Sequence, residues 1–122
     1  MTQVVTNKSL LMKSNDETKH VVPVDPDDPT QVMEVWVRDI SFLDIQDAAQ
    51  KMVFIKDGDI SLSLKAYWEH AFTHWIVRTN PEMTSKELLS LKGHIGDAVA
   101  RVLPQPNEIA ESMQGVFMTP SE

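Results

Sequence analysis

Residues 61–81 read SLSLKAYWEHAFTHWIVRTNP and contain two of the three tryptophans and the only tyrosine of the chain. At 100° per residue, an apolar stripe runs along one side of a helix through this stretch. The stripe consists of Leu64, Tyr67, Trp68, Ala71 and Trp75. Pro81 is expected to end the helix, because the residue before a proline is disfavoured in the helical conformation. The stretch therefore predicts a helix at the centre of the core.

The composition of the 122-residue chain is typical of one soluble globular domain, with 42% hydrophobic and 24% charged residues. The net charge is −7 and no basic stripe is present, so binding to a phosphate backbone lacks its usual electrostatic source. No apolar run is long enough for a membrane span, and there are no cysteines. We therefore expect a cytoplasmic protein with no nucleic-acid and no membrane partner.

The N-terminal segment differs in composition from the rest of the chain. Residues 1–30 are polar and include the acidic proline run 25–29, a composition that buries too little apolar surface to order by itself. We predict that residues 1–30 form a flexible polar arm. The alternative is a short edge strand at Val21, Val22 and Val24, since an edge is where a proline is tolerated in a sheet.

Residues 31–38 alternate between apolar and polar side chains, which predicts a strand with one buried face. Met33, Val35 and Val37 are expected to face the core, and Trp36 to lie on the wetter side. Trp36 is interpreted either as a cover for the edge of the sheet or as an anchor for a partner, since tryptophan is enriched at interface hot spots.

Ser41 is expected to begin the next helix, because its side chain can accept a hydrogen bond from the backbone N–H of Asp44. The buried stripe of this helix is predicted to consist of Phe42, Ile45, Ala49 and Met52. The residues that follow leave two structures open. Asp57-Gly58 between apolar runs is typical either of a β-hairpin within residues 53–64 or of a turn between two helices. The turn is slightly favoured, because Leu64 belongs to the stripe of the following helix.

Residues 84–87 (TSKE) have the sequence of a capping box and predict another helix, which extends to about Leu103 unless Gly93 ends it. Together, these elements predict an α+β fold in which an N-terminal β-strand or hairpin precedes a compact bundle of three to four helices. The α+β globular domain is assigned to residues 31–104, and residues 105–122 are predicted to form a short helix and an apolar tail.

The candidate metal pair consists of His70 and His74, whose spacing of four places both imidazoles on one side of a helix. Glu69 precedes His70 instead of following it, so the His-Glu-x-x-His pattern of metalloproteases is absent, and no spacing indicates a third ligand. The sequence also has no Gly-flanked serine elbow and no Gly-rich phosphate loop. We therefore predict that the protein is not an enzyme and has no catalytic residue, no cofactor and no metal site.

Interaction with another protein is the remaining class of function. Seven methionines and three tryptophans in a small acidic chain favour a protein that presents adaptable apolar surface. The apolar run at 116–118 is expected either to pack back on the core or to serve as a docking end. The candidate partner-binding residues are Trp36, Met113, Val116, Phe117 and Met118.

Residues 35–41 (VWVRDIS), a strand that leads into a capped acidic helix, resemble the start of the tail assembly chaperones of tailed bacteriophages. The later progression from Trp75 through Pro81 to the capped helix at Thr84 is similar to the remainder of such proteins. The resemblance covers residues 31–104. It implies a small α+β protein that coats the tape-measure protein in the host cytoplasm during tail assembly and leaves before the virion is complete.

Three functions are compatible with these features. The first is a non-catalytic chaperone that offers apolar grooves to helices of the tape-measure protein or another phage structural protein, while its acidity keeps the complex soluble. The second is a structural virion or connector subunit, in which an ordered arm joins neighbouring copies as a homo-oligomer. The third is a small metal-binding enzyme or regulator that uses His70 and His74.

Overall fold

The computed structural model describes residues 1–108, and its architecture is mixed α and β. A 3₁₀ turn at Lys8–Leu10 precedes the regular elements. The strands are β1 (Glu17–Pro23), β2 (Val32–Arg38), β3 (Val53–Lys56), β4 (Asp59–Leu62) and β5 (Ile76–Asn80). The helices are α1 (Phe42–Met52), α2 (Leu64–His74), α3 (Ser85–Leu88) and α4 (Gly93–Ala100). The predicted α+β class with an N-terminal hairpin, formed by β1 and β2, is confirmed.

Strand β2 is the centre of a three-stranded antiparallel sheet of order β1-β2-β5. The prediction of one buried face is confirmed, because Met33, Val35 and Val37 are all buried. Val22 of β1 lies opposite Met33, and Ile76 of β5 lies opposite Val37. Both are buried as well, so all three strands contribute to the same apolar face.

The prediction of a flexible arm is wrong for residues 17–23, which form β1 and pair with β2 along its whole length. The edge-strand alternative describes this part of the chain better, although the strand begins earlier than Val21. Two interactions with residues far away in the sequence stabilise this strand despite its polar composition. The free edge of β2 supplies backbone hydrogen-bond partners, and Val22 enters the core with 1% exposure.

The helix predicted to continue to Pro81 ends at His74, and residues 76–80 form β5. Ile76, Val77 and Thr79 are β-branched and suit a strand, and β2 provides the pairing edge. The N–H of Arg38 donates to the carbonyl of Trp75 at 3.0 Å, immediately before β5 begins. A partner strand far away in the sequence thus replaces the last turn and a half of the predicted helix.

The turn between helices that is favoured for residues 53–64 is wrong, and the hairpin alternative is correct: β3 and β4 form a two-stranded antiparallel sheet. Asp57 and Gly58 both have positive φ, at 54° and 83°. These values define the two-residue turn whose twist matches that of paired strands. The Asp-Gly pair is favoured there because both residue types tolerate the left-handed conformation.

The centre of the core lies between α1 and α2, which pack against each other. Tyr67, Ala71 and Trp75 are buried as predicted, together with Phe72, while Trp68 is half-buried. The Tyr67 ring meets the Trp75 ring edge to face at 5.9 Å between centroids. Leu64 is a correction to the predicted stripe. It is 58% exposed, because α2 begins at this residue, beside the exposed β3–β4 hairpin.

Helix α1 begins at the predicted capping box. The Ser41 side chain accepts the N–H of Asp44 at 3.1 Å, and the Asp44 carboxylate accepts the N–H of Ser41 at 2.9 Å. The buried side chains of α1 are Ala48, Ala49 and Met52. Ile45 is half-buried, but Phe42 is exposed and does not belong to the buried stripe as predicted.

The predicted helix from Thr84 to about Leu103 is divided into α3 and α4. Its capping box is confirmed in both directions between Thr84 and Glu87. Lys92 is extended, with φ −54° and ψ 148°, and separates the two helices. Gly93 begins α4 instead of ending a helix, and a Cβ placed on it would meet no atom within 4 Å. Close approach of a neighbouring helix therefore does not explain this glycine.

Candidate partner-binding surfaces

Trp36 lies on the outer face of the sheet, opposite the buried side chains of β2, and it is half-buried. In the strand register it stands between Lys19 of β1 and Arg78 of β5. The guanidinium of Arg78 lies 4.4 Å from the centre of the indole ring, a distance at which a cation is attracted to an aromatic face. Trp36 is therefore in the position expected from the sequence, but a cation covers its ring.

Charged side chains surround Trp36 on this face. Glu34 accepts a hydrogen bond from the Asn80 amide at 3.0 Å and is paired with Lys19 at 3.2 Å. These two interactions, the hydrogen bond first, lower the pKa of the Glu34 carboxyl. Arg78 is also paired with Glu17 at 3.4 Å. The outer face of the sheet thus consists of interacting charged and polar side chains around one aromatic ring, and among residues 1–108 it has no apolar groove.

A groove between the N-terminal segment and α1 is a concave surface lined largely by apolar side chains. Its volume is about 480 Å³. Five large apolar side chains that line it are between 66% and 75% exposed. They are Leu10, Leu11, Met12, Phe42 and Leu43. We call this surface the α1 groove.

Polar contacts hold the N-terminal wall of the α1 groove against the helix. Lys13 is paired with Asp44 at 2.6 Å, and the N–H of Ser14 donates to the Asp39 carboxylate at 2.8 Å. The interaction with Lys13, followed by the backbone hydrogen bond from Ser41, lowers the pKa of Asp44 to about 2. Asp44 therefore caps α1 and attaches the N-terminal segment at the same time.

The α1 groove is not apparent from the sequence. Helical periodicity assigns Phe42 to the core, and the polar composition of residues 1–30 hides the short apolar run Leu10-Leu11-Met12. The signal that could have revealed the α1 groove is the presence of two consecutive large apolar residues, Phe42 and Leu43, in the first turn of α1. Two adjacent large apolar residues are separated by 100° around a helix, so a narrow buried stripe favours one over the other.

The β3–β4 hairpin is a second exposed apolar surface. Ile55 lies opposite Ile60, and Val53 lies opposite Leu62, so these four side chains share one face of the two strands. Val53 is half-buried, whereas the exposures of the other three range from 45% to 76%. A two-stranded hairpin of this length is marginally stable in water without further packing.

The two histidines of α2 lie side by side, with ring centroids 4.6 Å apart. A polar cavity of about 530 Å³ beside them is also lined by Arg38, Asp47 and Lys51. Desolvation lowers the pKa of His70, and the nearby His74 and Lys51 lower it further. Within residues 1–108, no group of three or more His, Cys, Asp or Glu side chains is arranged to hold a metal ion.

The other candidate partner-binding residues, Met113, Val116, Phe117 and Met118, lie outside the residues that the structure describes. No helix among residues 1–108 is long and apolar enough to cross a membrane. A scan against protein-family models and searches of curated proteins and solved structures found no match to this chain.

Proposed function

We propose that this protein is a non-catalytic assembly chaperone that holds an apolar helical segment of a partner polypeptide. The resemblance of residues 31–104 to tail assembly chaperones supports the tape-measure protein of a bacteriophage tail as the partner, in the host cytoplasm. The observation that carries the proposal is the α1 groove, where five large apolar side chains are mostly exposed on a concave surface.

The α1 groove is suited to an amphipathic helix. Helices dock into apolar grooves through side chains at positions i, i+3, i+4 and i+7, and burial of one large apolar side chain contributes about 1.5–3 kcal/mol. Asp39 and Lys13 both line the groove, and the chain as a whole carries a charge of −7. A helix with basic residues beside its apolar stripe therefore complements the apolar side chains of the groove and the net charge of the chain.

Trp36 and the apolar C-terminal residues Met113, Val116, Phe117 and Met118 are proposed as additional contacts. Arg78 lies over the Trp36 ring, so a partner reaches this residue together with, or in place of, a cation. A further part of the proposal is that the helices form a compact bundle, which would keep the α1 groove in a fixed shape for the partner.

Co-expression tests the proposal. The tagged chain is produced together with a tape-measure protein as the proposed partner, and capture is quantified for Phe42→Ser and Leu11→Ser. Because both side chains are exposed, we expect unchanged melting temperatures but at least about a tenfold loss of capture, the equivalent of about 1.4 kcal/mol. Leu89→Ser is the matched control, since Leu89 is an exposed leucine outside the groove. Undiminished capture by both groove variants would refute the assignment.

The same system separates a chaperone from a structural subunit. A chaperone is captured with its partner but is absent from finished particles, whereas a virion or connector protein remains in them. Retention of the chain in purified particles at a fixed stoichiometry would therefore favour the structural subunit and overturn the chaperone proposal.

A further inference from the structure

We propose that two copies of this chain associate through the outer edge of β4, which pairs with no other strand in the described part of the chain, residues 1–108. Their hairpins then form one four-stranded antiparallel sheet about a two-fold axis at Ser61. The inference rests on the backbone of the β3–β4 hairpin and goes beyond the chaperone function, which concerns the α1 groove.

The hydrogen-bonding phase of the hairpin shows which backbone groups point outward. The N–H of Ser63 donates to the carbonyl of Met52 at 2.7 Å, so the pair formed by these two residues is a hydrogen-bonded one. Such pairs alternate along an antiparallel ladder, and the pair Phe54–Ser61 is therefore also hydrogen-bonded. The N–H and C=O groups of Ile60 and Leu62 consequently point away from β3.

Apart from its short length and Asp59, the β4 edge has none of the features that usually protect an edge strand. Residues 59–62 contain no proline and no lysine, and Ile60 and Leu62 are exposed. Ser63 is also extended, with φ −114° and ψ 107°, which adds a fifth residue to the edge. The β3 edge is less suitable, because Lys56 lies at one end of β3 and α1 ends directly before the other.

A second copy fits this edge in one register. When Ile60 of one copy pairs with Leu62 of the other, and the reverse, all outward N–H and C=O groups of these residues are satisfied by four hydrogen bonds. Ser61 then faces its own equivalent across the axis, where its small side chain permits close approach. The register keeps Val53, Ile55, Ile60 and Leu62 of both hairpins on the same face, as the period of two requires, while Phe54 and Ser61 lie on the other face.

Charge opposes a second copy only weakly here. The chain carries −7 overall, but the hairpin itself contains one lysine and two aspartates, and Lys51 and Lys65 flank it, so two hairpins meet with less repulsion than is expected elsewhere on the protein. In the proposed register Asp59 lies opposite Ser63, and no like charges face each other. The interface is small and consists mainly of one strand per copy, which predicts a weak, concentration-dependent dimer.

Single-cysteine variants test the register, because the natural chain has no cysteine. Ser61 occupies a non-hydrogen-bonded pair across the axis, where Cα atoms are about 4.5 Å apart, within the range for a disulfide. We expect Ser61→Cys to form a disulfide-linked dimer on mild oxidation at least about tenfold faster than Ile60→Cys or Leu62→Cys. In these two variants the equivalent Cα atoms are separated by about 8 Å.

Sedimentation velocity of the natural chain from about 1 µM to about 200 µM is expected to show a reversible monomer–dimer equilibrium. Leu62→Pro removes an outward N–H and should abolish the dimer, while Leu62→Thr retains the N–H and should preserve it. Circular dichroism of both variants checks that the monomer remains folded.

A monomer at every concentration would overturn the proposal. So would cross-linking at Ile60 that equals or exceeds that at Ser61, which would indicate face-to-face packing of the hairpins. Preferential cross-linking of Phe54→Cys would assign the interface to β3 instead. None of these results depends on capture of the partner, so this proposal and the chaperone function fail separately.

Discussion

The guanidinium of Arg78 lies 4.4 Å from the centre of the Trp36 ring, and the two residues are opposite each other in the register of β5 and β2. Arg78 is paired at the same time with Glu17 of β1, so one side chain connects both edges of the sheet across the central tryptophan. A partner that contacts Trp36 has to displace this cation or bind beside it.

Removal of the cation is expected to lower stability and expose the indole. For Arg78→Ala we expect the free energy of unfolding to fall by about 0.5–1 kcal/mol, measured by urea denaturation. Collisional quenching of tryptophan fluorescence should increase at the same time. Arg101→Ala is the control, because Arg101 makes an exposed ion pair with Asp97 at 2.7 Å within α4, and such pairs contribute less than about 0.5 kcal/mol. Equal effects of the two substitutions would contradict a stabilising role of the Arg78–Trp36 contact.

The hydroxyl of Tyr67 attaches the C-terminal part of the described chain to the core, because it donates to the carbonyl of Pro104. Tyr67→Phe removes this hydrogen bond while preserving the packed ring, and it leaves a partly buried carbonyl without that donor. We expect a loss of about 1–1.5 kcal/mol in the free energy of unfolding. Thr73→Ala on the exposed side of α2 is the control and should stay within about 0.5 kcal/mol of the natural chain. An unchanged stability of Tyr67→Phe would refute the attachment.

The single tyrosine also permits a titration by ultraviolet absorbance. Burial raises the pKa of the Tyr67 hydroxyl, and the Glu108 carboxylate raises it further. Because the folded state disfavours the ionised form, this contribution to stability is complete below the ordinary pKa of 10.0 and is lost as the pH rises above it. Tyrosinate should therefore appear only together with unfolding. Reversible ionisation near pH 10 in a chain that remains folded would contradict the buried position.

Asp44 is expected to make the protein sensitive to acid. Its pKa falls from 3.8 to about 2 in the folded chain. The largest cause is the hydrogen bond from Lys13, and the next is the hydrogen bond from the N–H of Ser41. The folded state favours the ionised carboxyl, so this stabilisation is complete above pH 3.8 and is lost as the pH falls towards 2.

Thermal unfolding of the natural chain and of Asp44→Asn at neutral and acid pH measures this contribution. We expect the variant to be less stable by about 0.5–1 kcal/mol at pH 7, and the difference to disappear near pH 2, where Asp44 becomes protonated. Asp97→Asn is the control, since Asp97 makes only an exposed pair within α4. A difference between natural chain and variant that is independent of pH would show that the carboxylate charge is unimportant.

Deletion of residues 116–122 tests the proposed contact of the C-terminal segment with the partner. We expect capture of the co-expressed tape-measure protein to weaken more than the melting temperature falls, because the apolar run at 116–118 is proposed to bind the partner and not the core. Capture and melting are measured on the same preparations. A large fall in melting temperature with unchanged capture would place the segment in the core.

Features that depend on neighbouring residues could be read directly from the sequence. The capping boxes at Ser41 and Thr84 involve residues three positions apart, and the buried face of β2 follows from alternation along one strand. The burial of Tyr67 and Trp75 follows from their shared helical stripe. These features require no knowledge of the remaining chain, because the interacting groups lie within one or two turns of each other.

Features that depend on distant partners appeared only in the tertiary structure. Residues 76–80 are compatible with a helix by periodicity, yet they form a strand because β2 offers a free edge about forty residues earlier. The same edge orders β1 despite its polar composition. Strand pairing satisfies backbone groups whatever the local preference of the side chains, so a long-range edge can override a local pattern.

For the candidate partner-binding surfaces, too, some features follow from the sequence and others only from the tertiary structure. The sequence by itself determined that Trp36 lies outside the core and that the chain has no Gly-flanked serine elbow, no Gly-rich phosphate loop and no His-Glu-x-x-His pattern. The tertiary structure alone decided that Arg78 covers Trp36, that Phe42 joins the N-terminal leucines in the α1 groove, and that no strand among residues 1–108 pairs with the outer edge of β4. Each of these facts concerns surfaces formed by segments far apart in the chain, where exposure depends on which element packs nearby and not on residue type.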